Sequence, residues 1–288
     1  MTEPEPAKKL PPEGSTKKPP SNLLMRFGTA IVAAPLILLL IFKAPPWGVF
    51  ALVVPAALLG CYELFSMTHP DDAISRWFGT LLGAVVCAGI FFGGGDPRVL
   101  LTLLLLPIVG PMFTLFRLGD MKSAALRAAA LGFGPLYIAA PLTLVGVMRR
   151  DHPVEGPAYV LFVLMFSWLA DTGGYFGGRY FGKHKLYEAV SPKKTVEGAI
   201  GGVIGALVGG FIVRALCWPT LPALHLIALA VIAAIAGMAG DLAESLLKRS
   251  VGVKDSGNIL PGHGGILDRV DATLLTATVV YLYSVWLA

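Results

Sequence analysis

The chain alternates long apolar runs with short polar punctuation. After Arg26, predominantly apolar stretches occupy 27–43, 47–67, 77–93, 99–117, 128–148, 157–172, 199–217, 222–241 and 267–287. A helix that crosses a bilayer needs about 20 mostly apolar residues, so the pattern predicts about nine spanning helices. The breaks carry turn and charge signals, among them Lys43-Ala-Pro-Pro46, His69-Pro-Asp-Asp72, Gly93-Gly-Gly-Asp-Pro97 and Trp218-Pro219. Period-2 alternation is absent, which excludes a membrane β-barrel, and no internal repeat of the inverted kind is visible. The expected fold is an all-α, polytopic bundle of membrane helices. Its expected divisions are a disordered proline-rich tail over 1–24, helices over 25–170 and a charged membrane region over 171–288. The tail lacks the basic-then-apolar order of a signal peptide.

Composition agrees with this pattern. Of 288 residues 14% are charged and 55% hydrophobic, whereas a soluble domain carries about 25% charge. The three cysteines, Cys61, Cys87 and Cys217, sit singly in apolar runs and read as small buried residues rather than metal ligands. A net charge of +5 could suggest a nucleic-acid partner. Its distribution supplies a simpler account. With nine spans and a cytoplasmic N-terminus, 18 Lys and Arg residues fall on the inner side and 5 on the outer side. That is the positive-inside bias, and no nucleic acid is implied.

The remaining charges concentrate. Residues 171–198 hold eight and residues 241–271 hold nine, both at the edges of apolar runs, where an ionisable group is costly unless paired or metal-bound. In the first segment, Gly173, Gly174, Gly177 and Gly178 lack the preceding strand a phosphate loop needs, and close helix packing accounts for them as well. Ser191-Pro192 predicts a helix start, with Lys193 and Lys194 in its first turn. There they would either bind phosphate or anchor the inner face.

In the second segment, a continuing helix puts Asp241, Ser245, Lys248 and Arg249 on one face, and Asp268 and Asp271 are i, i+3 on the next helix. Three converging carboxylates fit a hard divalent cation, Mg²⁺ or Mn²⁺; a structural ion-pair network around Arg269 is the alternative. Lys248, Arg249, Lys254 and Arg269 add the positive charge that phosphoryl or nucleotidyl transfer from a triphosphate requires. His263, between glycines, reads equally as a base, a ligand or a loop-positioning donor. Asp71 and Asp72 read as a solvated loop. Glu63, alone in an apolar run, has no assignment.

The run Ser245-x-Leu-Lys-Arg-x4-Lys254-Asp-x-Gly-x2-Leu-Pro-x-His263-Gly-Gly-Ile-x-Asp268-Arg-Val-Asp271 resembles the C-terminal signature of the phosphatidate cytidylyltransferases. Asp171-Thr-Gly-Gly-Tyr and Ser191-Pro-Lys-Lys-Thr-Val-Glu-Gly198 are similar to that family's internal motifs. The resemblance implies an inner-membrane enzyme, active on its cytoplasmic face, that condenses CTP with phosphatidic acid to CDP-diacylglycerol and pyrophosphate. It implies Asp241, Asp268 and Asp271 as ligands of Mg²⁺ or Mn²⁺, with a monovalent cation as a second ion. Lys193, Lys194, Ser245, Lys248 and Arg249 would bind phosphates, and Lys254, Asp255, His263 and Arg269 would be catalytic. A homodimer is compatible with this reading. Before the resemblance is weighed, a different intramembrane transferase or a cation transporter would also fit the carboxylates; CTP dependence separates them.

Overall fold

The computed structural model describes residues 35–259 and 264–287. The predicted tail, the start of the predicted first span and His263 lie outside the described residues. The chain divides into a unit ending at Leu38, helical over its described residues 35–38, and a compact unit from Leu39 to Ala288. The compact unit contains α1 (Trp47–Thr68), α2 (Ala73–Gly93), α3 (Pro97–Leu104), α4 (Leu106–Phe116), α5 (Ala124–Asp151), α6 (Gly156–Phe181), a hairpin of β1 (Lys185–Tyr187) and β2 (Ser191–Thr195), α7 (Val196–Cys217), α8 (Ala223–Ser250) and α9 (Leu267–Trp286).

Among the described residues, seven helical segments are long and apolar enough to cross a membrane, with α3 and α4 counted as one segment. α9 is not among them, because its first two turns carry Asp268, Arg269 and Asp271 and its body is rich in threonine. Large side chains such as Phe92, Phe116 and Leu216 lie uncovered on the outside, as expected of helices that face lipid.

α5 is the hub: it packs against α1, α2, α4, α6 and α9. Its apolar window is 67% buried, against 17% for the α3–α4 segment, so α5 runs inside the bundle and α3–α4 on its rim. One core cluster joins Phe65 and Cys61 of α1, Cys87 of α2, Leu131 and Ile138 of α5 and Leu267 and Leu274 of α9. Cys61 and Cys87 are buried free thiols, as their apolar settings suggested, whereas Cys217, at the end of α7, is a free thiol only partly buried.

Two local expectations are corrected. Ser191-Pro192 does not start a helix; Ser191–Thr195 is the second strand of an antiparallel hairpin. α7 starts at Val196 with Thr195 as its cap, the hydroxyl accepting from the Gly198 N–H at 3.1 Å. Threonine in extended backbone is also a good N-cap, and Pro192 is tolerated on a strand with a free edge. Nor is Asp72 simply solvated. It caps α2 by accepting from Ser75 N–H at 3.2 Å and pairs with Arg117 at 2.9 Å.

α6 and α7 pack closely, and glycine explains the approach. A Cβ on Gly173 would lie 2.2 Å from the Gly201 carbonyl oxygen, and one on Gly205 would lie 2.0 Å from that of Leu169. Backbone meets backbone there, so the glycine-rich run is a packing surface, as small-residue helix contacts in membranes are.

Candidate active site

Four elements converge on the charged ends of α6, α8 and α9. α6 continues through Asp171 to Phe181 rather than stopping at the first charge. This carries Asp171, Tyr175 and Arg179 along one face at successive four-residue steps. Because α6 and α7 touch through glycine, the β-hairpin joining them folds back over this face. Lys194 of β2 reaches Asp241 of α8 at 2.6 Å. Asp171, Tyr175, Arg179, Lys193, Lys194 and Asp241 line a cavity of about 370 Å³. Within it Arg179 Nη1 donates to the Tyr175 hydroxyl at 2.5 Å.

A second carboxylate group adjoins it. Asp171, Asp241, Glu244 and Asp271 act on one another electrostatically. Asp241 also accepts from the Ser245 hydroxyl at 3.5 Å, one turn along α8. Lys248 pairs with Glu244 on its own helix and with Asp268 Oδ1 of α9 at 2.6 Å. Asp268 is already engaged on both oxygens. Oδ2 accepts from the backbone N–H of Ser256 at 3.0 Å and of Gly265 at 2.8 Å. Asp271 takes different partners: Oδ1 accepts from the Ala272 N–H at 2.7 Å, and its electrostatic neighbours are Asp241, Glu244 and Asp171.

The signature residues therefore divide. Asp241, Asp271, Lys194, Ser245 and Lys248 come together with Asp171 and Glu244. Lys193 is exposed at the cavity wall. Arg269 is exposed and acts electrostatically on Asp171. Arg249 is exposed and donates to the Val253 carbonyl at 3.0 Å, which holds the turn after α8. Lys254 and Asp255 are exposed on the loop that follows. Gly264 has φ +78°, a conformation that favours glycine.

Four contributors were missed in the sequence: Asp171 and Glu244 as members of the cluster, and Glu63 and Ser256 as supports. Glu244 was detectable from its i, i+4 spacing to Lys248, and Asp171 from being an ionisable residue within an apolar helix. Cavity size alone would have misdirected the search. A larger hollow of about 750 Å³ lies near the ends of α1 and α4, lined by His69, Asp72, Arg117 and Arg127. Arg127 there is tied to the Arg117 and Asp120 carbonyls. Burial and the Arg127 charge lower the His69 imidazole to about 4, so it is neutral near pH 7.

The donors of the cluster are all oxygen, the ligand type that hard cations take. Asp171, Asp241, Glu244, Asp268 and Asp271 bring five carboxylates together. Lys194 and Lys248 form ion pairs with members of this cluster, and Arg269 adds a third positive charge beside Asp171. All its oxygen donors suit Mg²⁺ or Mn²⁺ and none is a sulfur or nitrogen ligand. Among the described residues no three acidic, histidine or cysteine side chains form a ready-made cage.

Comparison with known proteins bears on the same residues. A family model described as "Cytidylyltransferase family" matches residues 24–287. A phosphatidate cytidylyltransferase of Thermotoga maritima is 34% identical over 91% of this chain and 96% of its own length. One of Haemophilus influenzae is 36% identical over 90% of this chain and 96% of its own. One of Staphylococcus saprophyticus is 48% identical, over a matched segment of about half of either protein, 54% of this chain and 56% of its own length. Nearly the whole chain is matched, including both charged segments that build the cavity and the carboxylate cluster. The chain belongs to the cytidylyltransferase family.

Proposed function

We propose that this protein transfers a cytidylyl group from CTP to phosphatidic acid, forming CDP-diacylglycerol and releasing pyrophosphate. The observation that carries the reading is the joining of a lysine-lined cavity to a cluster of carboxylates inside an apolar helix bundle. Membership of the cytidylyltransferase family and the activity named for its relatives support it. The nucleophile, a phosphate monoester oxygen, is already anionic. The protein therefore has to overcome anion–anion repulsion and align an in-line attack on the α-phosphate, rather than remove a proton.

The chain's own residues divide that work. Lys193 and Lys194 face the cavity and would receive the phosphates. Lys194 now neutralises Asp241 and would exchange that partner for a phosphate oxygen. Arg269 supplies charge beside Asp171. Ser245, one turn from Asp241, can donate to a phosphate oxygen or hold Asp241 in place. Arg249 would act from the last turn of α8, Lys254 and Asp255 from the loop after it, and His263 together with them. A bound Mg²⁺ would supply neutralisation of the triphosphate and of the departing pyrophosphate. Asp241 and Asp271 would hold it with Asp171 beside them, whereas Asp268 would first have to release Lys248 from Oδ1. A monovalent second ion, nine spans, an N-terminus and active site facing the cytoplasm, an inner-membrane location and a homodimer complete the reading.

The test is a nucleotide panel. Purified protein in detergent with phosphatidic acid and Mg²⁺ should release pyrophosphate from CTP and far less from ATP, GTP or UTP. Equal turnover of all four, or none with CTP, would reject the reading. Transport of divalent cations by reconstituted protein without CTP turnover would favour a carrier instead.

A further inference from the structure

Glu63 stands in the last third of the apolar run of α1, nearly 200 residues before the signature, and is 2% exposed. A buried carboxylate must find donors, and among the described residues those of Glu63 belong to the segment that carries the signature. Oε1 accepts from the Ile266 N–H at 3.0 Å, Oε2 from the Leu267 N–H at 2.8 Å, and Oε2 from the Ser256 hydroxyl at 3.1 Å. Ile266 and Leu267 open α9, and their N–H groups are among those a helix start leaves without an intrahelical partner. Ile266 provides no side-chain cap, so a carboxylate from another helix caps α9 and sits at the positive end of its dipole.

The loop is moulded around this carboxylate. A Cβ on Gly257 would lie 2.7 Å from Glu63 Oε1, and one on Gly265 would lie 2.5 Å from Oε2 and 2.1 Å from Ser256 Oγ. Two glycines of the signature are thus accounted for by a residue outside it. Ser256 connects the parts, since its Oγ is also 2.9 Å from Asp268 Oδ2. A hydroxyl has one proton, so Glu63 and Asp268 share a single donor. Asp268 in turn holds Lys248. The series Glu63, Ser256, Asp268, Lys248, Glu244 runs without a gap from the N-terminal helices to the carboxylate cluster.

We propose that Glu63 is a positioning residue for the transfer reaction: by capping α9 and sharing Ser256 with Asp268, it sets the register of α9, and with it Asp271, against α8. The inference rests on the cytidylyl-transfer reading for its kinetic consequence, but not for its structural one. Glu63→Gln keeps the size yet turns one oxygen into a donor that faces the Ile266 or Leu267 N–H. Glu63→Asp keeps an acceptor at shorter reach.

Two measurements on full-length protein in detergent test it. Hydrogen exchange of the peptide covering 264–272 should speed up at least about tenfold in Glu63→Gln and less in Glu63→Asp. In parallel, kcat for pyrophosphate release should fall about 10- to 100-fold in Glu63→Gln, with the KM for CTP within about twofold, and recover in part in Glu63→Asp. A purely structural role would lower the yield or melting temperature and leave kcat per folded molecule unchanged. If Glu63→Gln does not fold, Ser256→Ala must show the same exchange and kcat changes in weaker form. Unchanged exchange, or wild-type kcat in the folded variants, overturns the proposal. Wild-type protein inactive on CTP would reject the functional reading, and the exchange comparison would still decide the role of Glu63.

Discussion

Helices α1–α5 and α6–α7 are built from similarly apolar residues but are packed by different means. In the first group, large side chains fill most of the space between helices, although Gly110 and Gly132 bring α4 and α5 together backbone to backbone. Phe65 is fully buried, and its ring occupies room left by Gly79 and Gly134, where a Cβ would come within 2.4 and 3.3 Å of it. Phe50 stacks on Phe91, and Phe78 on Phe113, each with 3.8 Å between centroids. In the second group glycine lets α6 and α7 meet backbone to backbone. Side chains can shift rotamer and absorb a change; two backbones in contact cannot. The rigid pairing lies beside the cavity, carrying Asp171 and Arg179 on one helix and delivering the hairpin lysines from its connection. The side-chain-packed group forms the mass against which α9 is set. Glu63 ties that group to the start of α9.

Several substitutions would break or sharpen this contrast. The largest effect is expected for Asp271→Asn, which removes a charge from the cluster without changing its shape. Turnover should fall about 100- to 1000-fold with the melting temperature nearly unchanged, as read by pyrophosphate release and thermal unfolding of the same preparation. Phe65→Ala should have the opposite profile. In lipid the void left by the ring is the main cost, so stability should drop by up to about 3 kcal/mol while turnover per folded molecule stays within about threefold. Gly173→Ala should affect both quantities, because its Cβ would be driven into the Gly201 carbonyl beside Asp171. A loss of about 1–3 kcal/mol should come with a clear drop in turnover. If Phe65→Ala abolishes turnover per folded molecule and Gly173→Ala spares it, the contrast is wrong.

The smallest effect concerns pH. The Arg117 guanidinium, helped by Ser75, holds the Asp72 carboxyl well below its ordinary value of 3.8. A group depressed in the folded state stabilises it above that ordinary value, and the contribution drains away as the pH falls below it. Wild-type melting temperature should therefore fall between pH 5 and pH 3 slightly more than that of Asp72→Asn, which still caps α2 but carries no charge. Parallel curves would remove the pair from the account. The effect is small because the Arg117 side chain is 38% exposed and solvent screens it.

Helix positions were legible because lipid imposes the simplest of patterns: the run at 47–67 became Trp47–Thr68 and that at 199–217 became Val196–Cys217. Ends were legible less often. α6 and α8 continue well past the first charge, to Phe181 and Ser250, since an apolar window closes at a charge while backbone hydrogen bonding does not. The two charged segments marked the site, because charges stand out where apolar residues are the rule. Partnership was hidden. Nothing near Asp268 in sequence shows that Lys248 and Ser256 occupy it while Asp271 turns to Asp241. Glu63 left the plainest signal, a lone carboxylate in an apolar run, and its donors are more than 190 residues away. The Ser191-Pro192 misreading has a similar origin: a serine–proline pair opens helices and also sits on strand edges, and only the hairpin decides between them.

The most direct test of the central claim follows the label from CTP. Purified protein is given phosphatidic acid, Mg²⁺ and CTP labelled at the α-phosphate, and the lipid and aqueous phases are separated. The account predicts that label enters the lipid phase as CDP-diacylglycerol, one mole for each mole of pyrophosphate released, and that Asp271→Asn abolishes both together. Label left in the aqueous phase while CTP is consumed, or lipid labelling unchanged in Asp271→Asn, would contradict it.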